Sequence, residues 1–246
     1  MVAVEGRVSA SSRIWRLWPW ALLAATAIVV AGVGGYVLGR QRAATAEPPP
    51  VLGAAPTYSL TNQLGQAVKS SQFRGKVQIV AFLDPYCTTL CPLIAANLAN
   101  LETFGLKPSH LENEVELVSF NLRPETTGPQ QMRVFLSQYG WNPTDLHWQY
   151  LTGSLATIRQ VVRQGFHVWY KRVRTADETS NGPQMVQPEI VNKLAAAANP
   201  QFDIVHNDIV EIVDQQGRIR KIFDDANIAG WQVLLPVVRS LVGEGK

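Results

Sequence analysis

An α/β fold with a mixed sheet is what this 246-residue sequence predicts, and three observations predict it. The β-branched apolar run Val77-Gln78-Ile79-Val80-Ala81-Phe82-Leu83 leads through a short turn into a helical pattern over 93–101. A second alternating run, 115–120, follows that helix and completes a βαβ unit. Further on, 209–213, Asp214-Gln215-Gln216-Gly217 and 218–223 spell an antiparallel hairpin, and a helical pattern closes the chain. Strand, helix, strand, helix, hairpin, helix is the thioredoxin-like order.

Taken from the N-terminus, residues 1–46 hold Arg7, Arg13, Arg16, Arg40 and Arg42 against Glu5 alone, a net charge of +4. The whole chain carries +3, so the remainder is close to neutral at −1. Nothing there resembles the basic stripe that nucleic acid needs, and nucleic-acid binding is excluded. Leu17 to Gly39 is 23 residues without one charge. As a helix it would reach roughly 34 Å, enough to cross a bilayer core. Trp15, Trp18 and Trp20 gather at its start and Tyr36 near its end, as an interfacial aromatic belt requires. The expectation is one transmembrane helix over 17–39 preceding the folded domain, with residues 1–16 in the cytoplasm because arginine is in excess on that side. The protein would then be single-pass in the cytoplasmic (inner) membrane, with its C-terminal domain periplasmic. Ala44-Thr45-Ala46 has the look of a signal-peptidase site, but Arg40 and Arg42 separate it from the apolar stretch, which is also too long for a signal peptide.

Residues 40–56, with Pro48-Pro49-Pro50, read as a Pro-rich linker, and the folded domain is expected over 57–246. Tyr58-Ser59-Leu60 and Ala67-Val68, on either side of Asn62-Gln63-Leu64-Gly65, predict an extra N-terminal β-hairpin. Met132, Phe135, Leu136 and Tyr139 recur at helical spacing within 128–139, and Leu155, Ile158, Val161 and Val162 do so within 154–164. Residues 166–173 read as a strand. Residues 174–201, punctuated by Asn181-Gly182-Pro183 and Asn199-Pro200, form an insertion before the last hairpin, with a short helix at 189–198. Trp231, Leu234, Leu235, Val238, Leu241 and Val242 share one face of a closing helix over 228–242.

The chain's two cysteines, Cys87 and Cys91, stand in Asp84-Pro85-Tyr86-Cys87-Thr88-Thr89-Leu90-Cys91-Pro92, where the buried strand ends and a helix begins. Unpaired backbone N–H groups and the helix dipole favour thiolate over thiol at such a place. His206 precedes the last hairpin, in a loop that this topology folds back over the cysteine motif. Two thiolates and one imidazole then converge. That set suits Cu(I), or Cu(II) with a further oxygen, whereas a closed zinc site wants a fourth ligand and no third cysteine exists. The same cysteines can instead cycle with a disulfide, or form a structural one, although so short a loop constrains little chain entropy. His110 and His147 lack cysteine neighbours, and His167 is expected to pack in its strand beside Trp169. Asp84 is read as tuning the thiols or capping the next turn, Tyr86 and Phe82 as core or rim, and Glu112, Glu114 and Glu116 as a solvated strand face. Serine-hydrolase and glycine-rich phosphate-binding motifs are absent from the sequence.

Over about residues 57–242 the chain resembles the SCO/SenC family. The resemblance is carried by Gly75-Lys76, Cys87-Thr88-Thr89-Leu90-Cys91-Pro92, Asn121-Leu122-Arg123-Pro124-Glu125, Leu151-Thr152-Gly153 and the histidine before Ile209. It implies a membrane-anchored copper chaperone for cytochrome c oxidase assembly, with Cys87, Cys91 and His206 as copper ligands. As partners it implies the oxidase subunit that houses the copper centre, other periplasmic copper chaperones and thioredoxin-like reductants. The alternative it leaves open is a thiol–disulfide reductase acting on the oxidase's copper-site cysteines, with Cys87 and Cys91 as the catalytic pair. Two departures stand out: Thr88-Thr89 replaces the family's usual Pro-Asp, and Asn121-Leu122-Arg123-Pro124-Glu125 replaces its Asp-Pro-Glu-Arg-Asp stretch.

Overall fold

The computed structural model describes Ile28 and residues 47–143, 147–174, 202–224 and 230–245. The chain divides into two compact units, Met1–Ala46 and Glu47–Lys246, and the architecture below is that of the second. Among the described residues its strands are β1 (Gly53–Ala54), β2 (Ser59–Thr61), β3 (Ala67–Lys69), β4 (Val77–Leu83), β5 (Val115–Asn121), β6 (Trp148–Leu151), β7 (Tyr170–Arg174), β8 (Phe202–His206), β9 (Val210–Val213) and β10 (Arg218–Phe223). The α-helices are α1 (Cys91–Asn100), α2 (Pro129–Ser137), α3 (Leu155–Arg159) and α4 (Trp231–Glu244). Six strands make one sheet in the order β1-β10-β9-β4-β5-β6, while β2–β3 and β7–β8 are separate two-stranded ribbons. Strands β4, β5 and β6 are parallel, β9 adds antiparallel beside β4, and β10 pairs antiparallel with β9.

Every residue of β4 and of β5 is buried, because both faces of the sheet are covered. Val77, Ile79, Ala81 and Leu83 point to one face with Val115 and Leu117, where Ile94, Leu98, Phe135, Leu234 and Val238 of the helices meet them. Val80, Phe82, Val118 and Phe120 point to the other, against Leu60 and Val68 of the hairpin, Ile158, Val162 and the β7–β8 ribbon. The period-2 alternation thus sorts one continuous apolar run into two cores. The β9–β10 turn closes with Gly217 at φ +73°, its N–H donating to the Asp214 carbonyl at 2.9 Å.

The expected N-terminal hairpin is present as β2–β3, and the last hairpin as β9–β10. Several details differ from the sequence expectation. β6 was not foreseen: Trp148-Gln149-Tyr150-Leu151 is short, and its burial comes from pairing with β5 rather than from its own pattern. Helix α3 runs on as a π-helix over Gln160–Gly165. Glu116 is buried rather than solvated, since β5 has no free face; Lys76 meets its carboxylate at 2.5 Å. His167 is exposed and left-handed at φ +58°, not packed in a strand. The short helix expected at 189–198 lies outside the described residues.

The transmembrane helix expected at 17–39 must be corrected, and with it the single-pass membrane topology and localisation. Among the described residues no helix is long and apolar enough to cross a membrane. Helix α4, with 14 residues, reaches only about 21 Å against a hydrocarbon core of about 30 Å. Apart from Ile28, residues 17–39 lie outside the described residues.

Glu211, on β9 between Val80 and Ile222, is 1% exposed, and neither carboxylate oxygen has a hydrogen-bond partner. Burial pushes its pKa up to about 8. The folded state therefore holds a proton that the unfolded chain releases near its ordinary value of 4.5. Stability should be complete below that value and decline as pH rises toward 8. Thermal unfolding followed by circular dichroism should show the midpoint falling across this window, and Glu211→Gln should flatten the fall.

Candidate metal centre

Strand β4 ends at Leu83, whose carbonyl accepts a hydrogen bond from the Tyr150 hydroxyl at 2.9 Å. The chain then turns: the Cys87 N–H donates to the Asp84 carbonyl at 3.1 Å and the Tyr86 N–H to the Asp84 carboxylate at 2.9 Å. Helix α1 opens at Cys91 with Pro92 in its first turn, where the missing N–H costs nothing. Cys91 therefore belongs to the helix and Cys87 to the loop before it. The Asp84 N–H points at the Cys91 sulfur, 3.4 Å away.

His206 comes from the far side of the sequence, and from a strand rather than the expected loop. It is the last residue of β8, paired with Tyr170 of β7. Its Nε2 lies 3.3 Å from the Cys91 sulfur, across a separation of 115 residues. Its Nδ1 lies 2.9 Å from the Asn207 carbonyl, which can only accept, so Nδ1 carries a proton and Nε2 is the nitrogen turned to the sulfurs. The ligand atoms of Cys87, Cys91 and His206 all lie within 4.8 Å of one another. Ligands of a trigonal ion with bonds near the ~2.3 Å thiolate value sit about 4 Å apart, so the donor set closes on one ion with little movement. Both thiols are free.

The two cysteines are unequal. The Cys91 thiol donating to the Cys87 sulfur, together with the His206 imidazole, overrides burial and holds Cys87 well below the usual thiol range. Burial, then the hydrogen bond and charge of Cys87, push Cys91 well above it. Burial disfavours charge on His206, but hydrogen bonds to Cys87 and to the Asn207 carbonyl outweigh it and raise its pKa. Of the two, Cys87 is the sulfur that ionises first and Cys91 the one that keeps its proton longer.

What holds β8 against the cysteine loop is Arg123. This residue is 1% exposed and follows β5, as Asp84 follows the neighbouring parallel strand β4. Its Nε donates to the Asp84 carboxylate at 2.8 and 3.0 Å, and its Nη2 reaches the same carboxylate at 2.6 Å. Its Nη1 donates to the Phe202 carbonyl, the first residue of β8, at 2.7 Å. The guanidinium also lies 4.6 Å from the centre of the Phe202 ring. Asn121 shapes the loop from beneath, accepting from the Arg123 N–H at 2.9 Å and donating to Thr127 and Thr152. Arg123 was not singled out from the sequence. The available signal was opposite charge just past the ends of two strands expected to run parallel. Of the remaining histidines, His110 stands at the turn after Lys107–Ser109 and His167 before β7, and neither joins the cluster.

Comparison with known proteins places these features in context. The family model described as SCO1/SenC matches residues 48–234. A SCO1 protein homolog of Bacillus subtilis (strain 168) is 25% identical over 158 residues, covering 62% of this chain and 79% of that protein. The crystal structure of a SCO1/SenC family lipoprotein from Bacillus anthracis str. Ames superposes with a TM-score of 0.61 at 23% identity, covering 80% of this chain and 99% of that one. Copper-bound ScoI of Bradyrhizobium japonicum gives 0.53 at 21% identity, over 76% and 95%. At these identities the two structures show a likeness of fold alone.

Removing one member of a buried ion pair strands the other. Asp84→Ala should cost about 3–5 kcal/mol in chemical denaturation, and the double variant Asp84→Leu/Arg123→Leu should recover much of it. Alkylation by iodoacetamide, read by mass spectrometry, should modify Cys87 well before Cys91, and Cys91→Ser should shift the Cys87 pH profile upward.

Proposed function

The chain belongs to the SCO1/SenC family, and we propose that it is a copper metallochaperone holding one copper ion through Cys87, Cys91 and His206 and passing it to the copper-centre subunit of cytochrome c oxidase. The observation that carries this is the convergence of two sulfurs and one imidazole nitrogen within 4.8 Å. Thiolates favour Cu(I), and imidazole is acceptable to either oxidation state. A set of three leaves the ion under-coordinated, so an incoming thiolate or imidazole can bind before a resident ligand leaves. His206 suits that exchange: it ends a two-stranded ribbon rather than a central strand, and it is only partly buried.

Anaerobic titration of the reduced protein with Cu(I), and separately with Cu(II), should give one copper per chain. His206→Ala should weaken binding at least about tenfold. Unchanged affinity in that variant would remove His206 from the site, and absence of binding would remove the proposal. Mixing the copper-loaded protein with the apo copper-centre domain of the oxidase should develop that centre's absorption, which tests delivery apart from binding.

A second reading is favoured by the inequality of the thiols. A Cys87 thiolate is a ready nucleophile toward a partner disulfide, and Cys91 can then displace the mixed disulfide, leaving a Cys87–Cys91 disulfide and a reduced partner. The oxidase's copper-site cysteines are the natural target. Reduction of a disulfide in that domain by the copper-free protein, lost in Cys87→Ser, is the expected result.

A further inference from the structure

Beside the β7–β8 ribbon lies an open cleft of about 300 Å³ bordered by Arg159, Arg163, Lys171 and Arg172, with Glu125 as its one acid. Arg172 is engaged, bonding Glu125 at 3.1 Å and stacking on Phe202 at 3.4 Å from the ring centre. Arg159, Arg163 and Lys171 have no carboxylate partner among the described residues. Trp169, on the same cleft, is 45% exposed, and Val205, between the cleft residue Ile204 and His206, is 39% exposed. Tyr170, which lines the cleft, is the strand partner of His206 across the ribbon.

We propose that this cleft is a docking surface for an acidic polypeptide segment of the protein that exchanges copper with the Cys87–Cys91–His206 centre. The proposal rests on the copper-exchange reading above. Four cations against one acid, on a domain whose net charge is −1, are complementary to a run of Asp and Glu. The cations are surface side chains in an open cleft. A small anion would gain little from any one of them through water, whereas a chain of carboxylates engages several at once. Arginine beside an exposed tryptophan is also the composition of protein–protein contact sites. A segment seated there would bring its protein over the rim that carries His206.

The test uses the full chain and a fluorescein-labelled hexaglutamate peptide, with binding read by anisotropy at low and moderate salt. Hexaglutamate should bind, binding should weaken with salt, and Arg159→Gln/Arg163→Gln/Lys171→Gln should weaken it about tenfold. A control of equal charge loss on other elements, Lys69→Gln/Lys221→Gln/Arg239→Gln, should change binding less than twofold. Equal loss in both triple variants would overturn the cleft in favour of net charge. Competition by inorganic phosphate at the same carboxylate-equivalent concentration would overturn the polypeptide in favour of a small anion. Copper titration of the cleft variant separates the two ideas. Unchanged copper affinity with lost peptide binding supports the docking surface, and normal copper binding with no hexaglutamate binding by the parent chain overturns it while leaving the metal centre standing.

Discussion

The buried pair Asp84–Arg123 is the constraint on which the site depends. Three donor atoms must converge, yet they come from a loop, a helix start and a strand more than a hundred residues later in the chain. The sheet positions the first two, because β4 delivers the chain to the cysteine loop. The third has no strand pairing with the six-stranded sheet: among the described residues β8 pairs with β7, and Phe202 and Ile204 only pack on the sheet's face. Arg123 supplies the connection, with one end on the carboxylate beneath the cysteine loop and the other on the first carbonyl of β8. Burying two charges is expensive, and a hydrophobic pair of similar volume often stabilises a fold as well. What the ion pair adds is direction: a planar donor fork fixes both partners at once, which packing alone does less sharply.

The chemistry of the thiols follows from the same placement. A helix start offers N–H groups to sulfur, and the Asp84 N–H takes that role toward Cys91. Yet Cys91 is the one held protonated, because it is wholly buried and lies beside a sulfur that ionises first. Local dipoles are thus outweighed by desolvation and by the neighbouring charge. Tyr139 and Tyr150 feel the same environment: burial first, then the neighbouring cysteines and, for Tyr150, Asp84, push their hydroxyls up.

Much of the fold was legible because its strands are long, β-branched and bounded by turn residues; β4, β5 and the β9–β10 hairpin were read close to their observed limits. What escaped was whatever depends on a partner. The Trp148–Leu151 strand is four residues whose burial is conferred by β5. Glu116 looks solvent-facing in an alternating pattern, but helices and hairpin cover both sides of its strand, and Lys76 answers its charge. The three clustered residues were named from the cysteine spacing and from topology. The strand character of His206 was not, because β8 exists only by pairing with β7, whose sequence lies beyond a long insertion. Residues 17–39 show the opposite limit: composition argues strongly for a span, yet among the described residues no helix is able to make one.

The unequal thiols also bear on how the two proposed activities relate. A metal held by both sulfurs requires both to be deprotonated, so loading copper must expel the proton that burial keeps on Cys91. Disulfide exchange needs only the Cys87 thiolate at first, and Cys91 must lose its proton later, when it attacks the mixed disulfide. Both proposed activities therefore share one obstacle, the Cys91 proton, and, while the ring is neutral, one nearby acceptor, the lone pair of His206 Nε2 at 3.3 Å. A metal that claims that lone pair removes the acceptor, and a protonated imidazole is unavailable to the metal. The two proposed activities would thus compete for the same nitrogen as well as for the same sulfurs, and a chain occupied with one would be unready for the other.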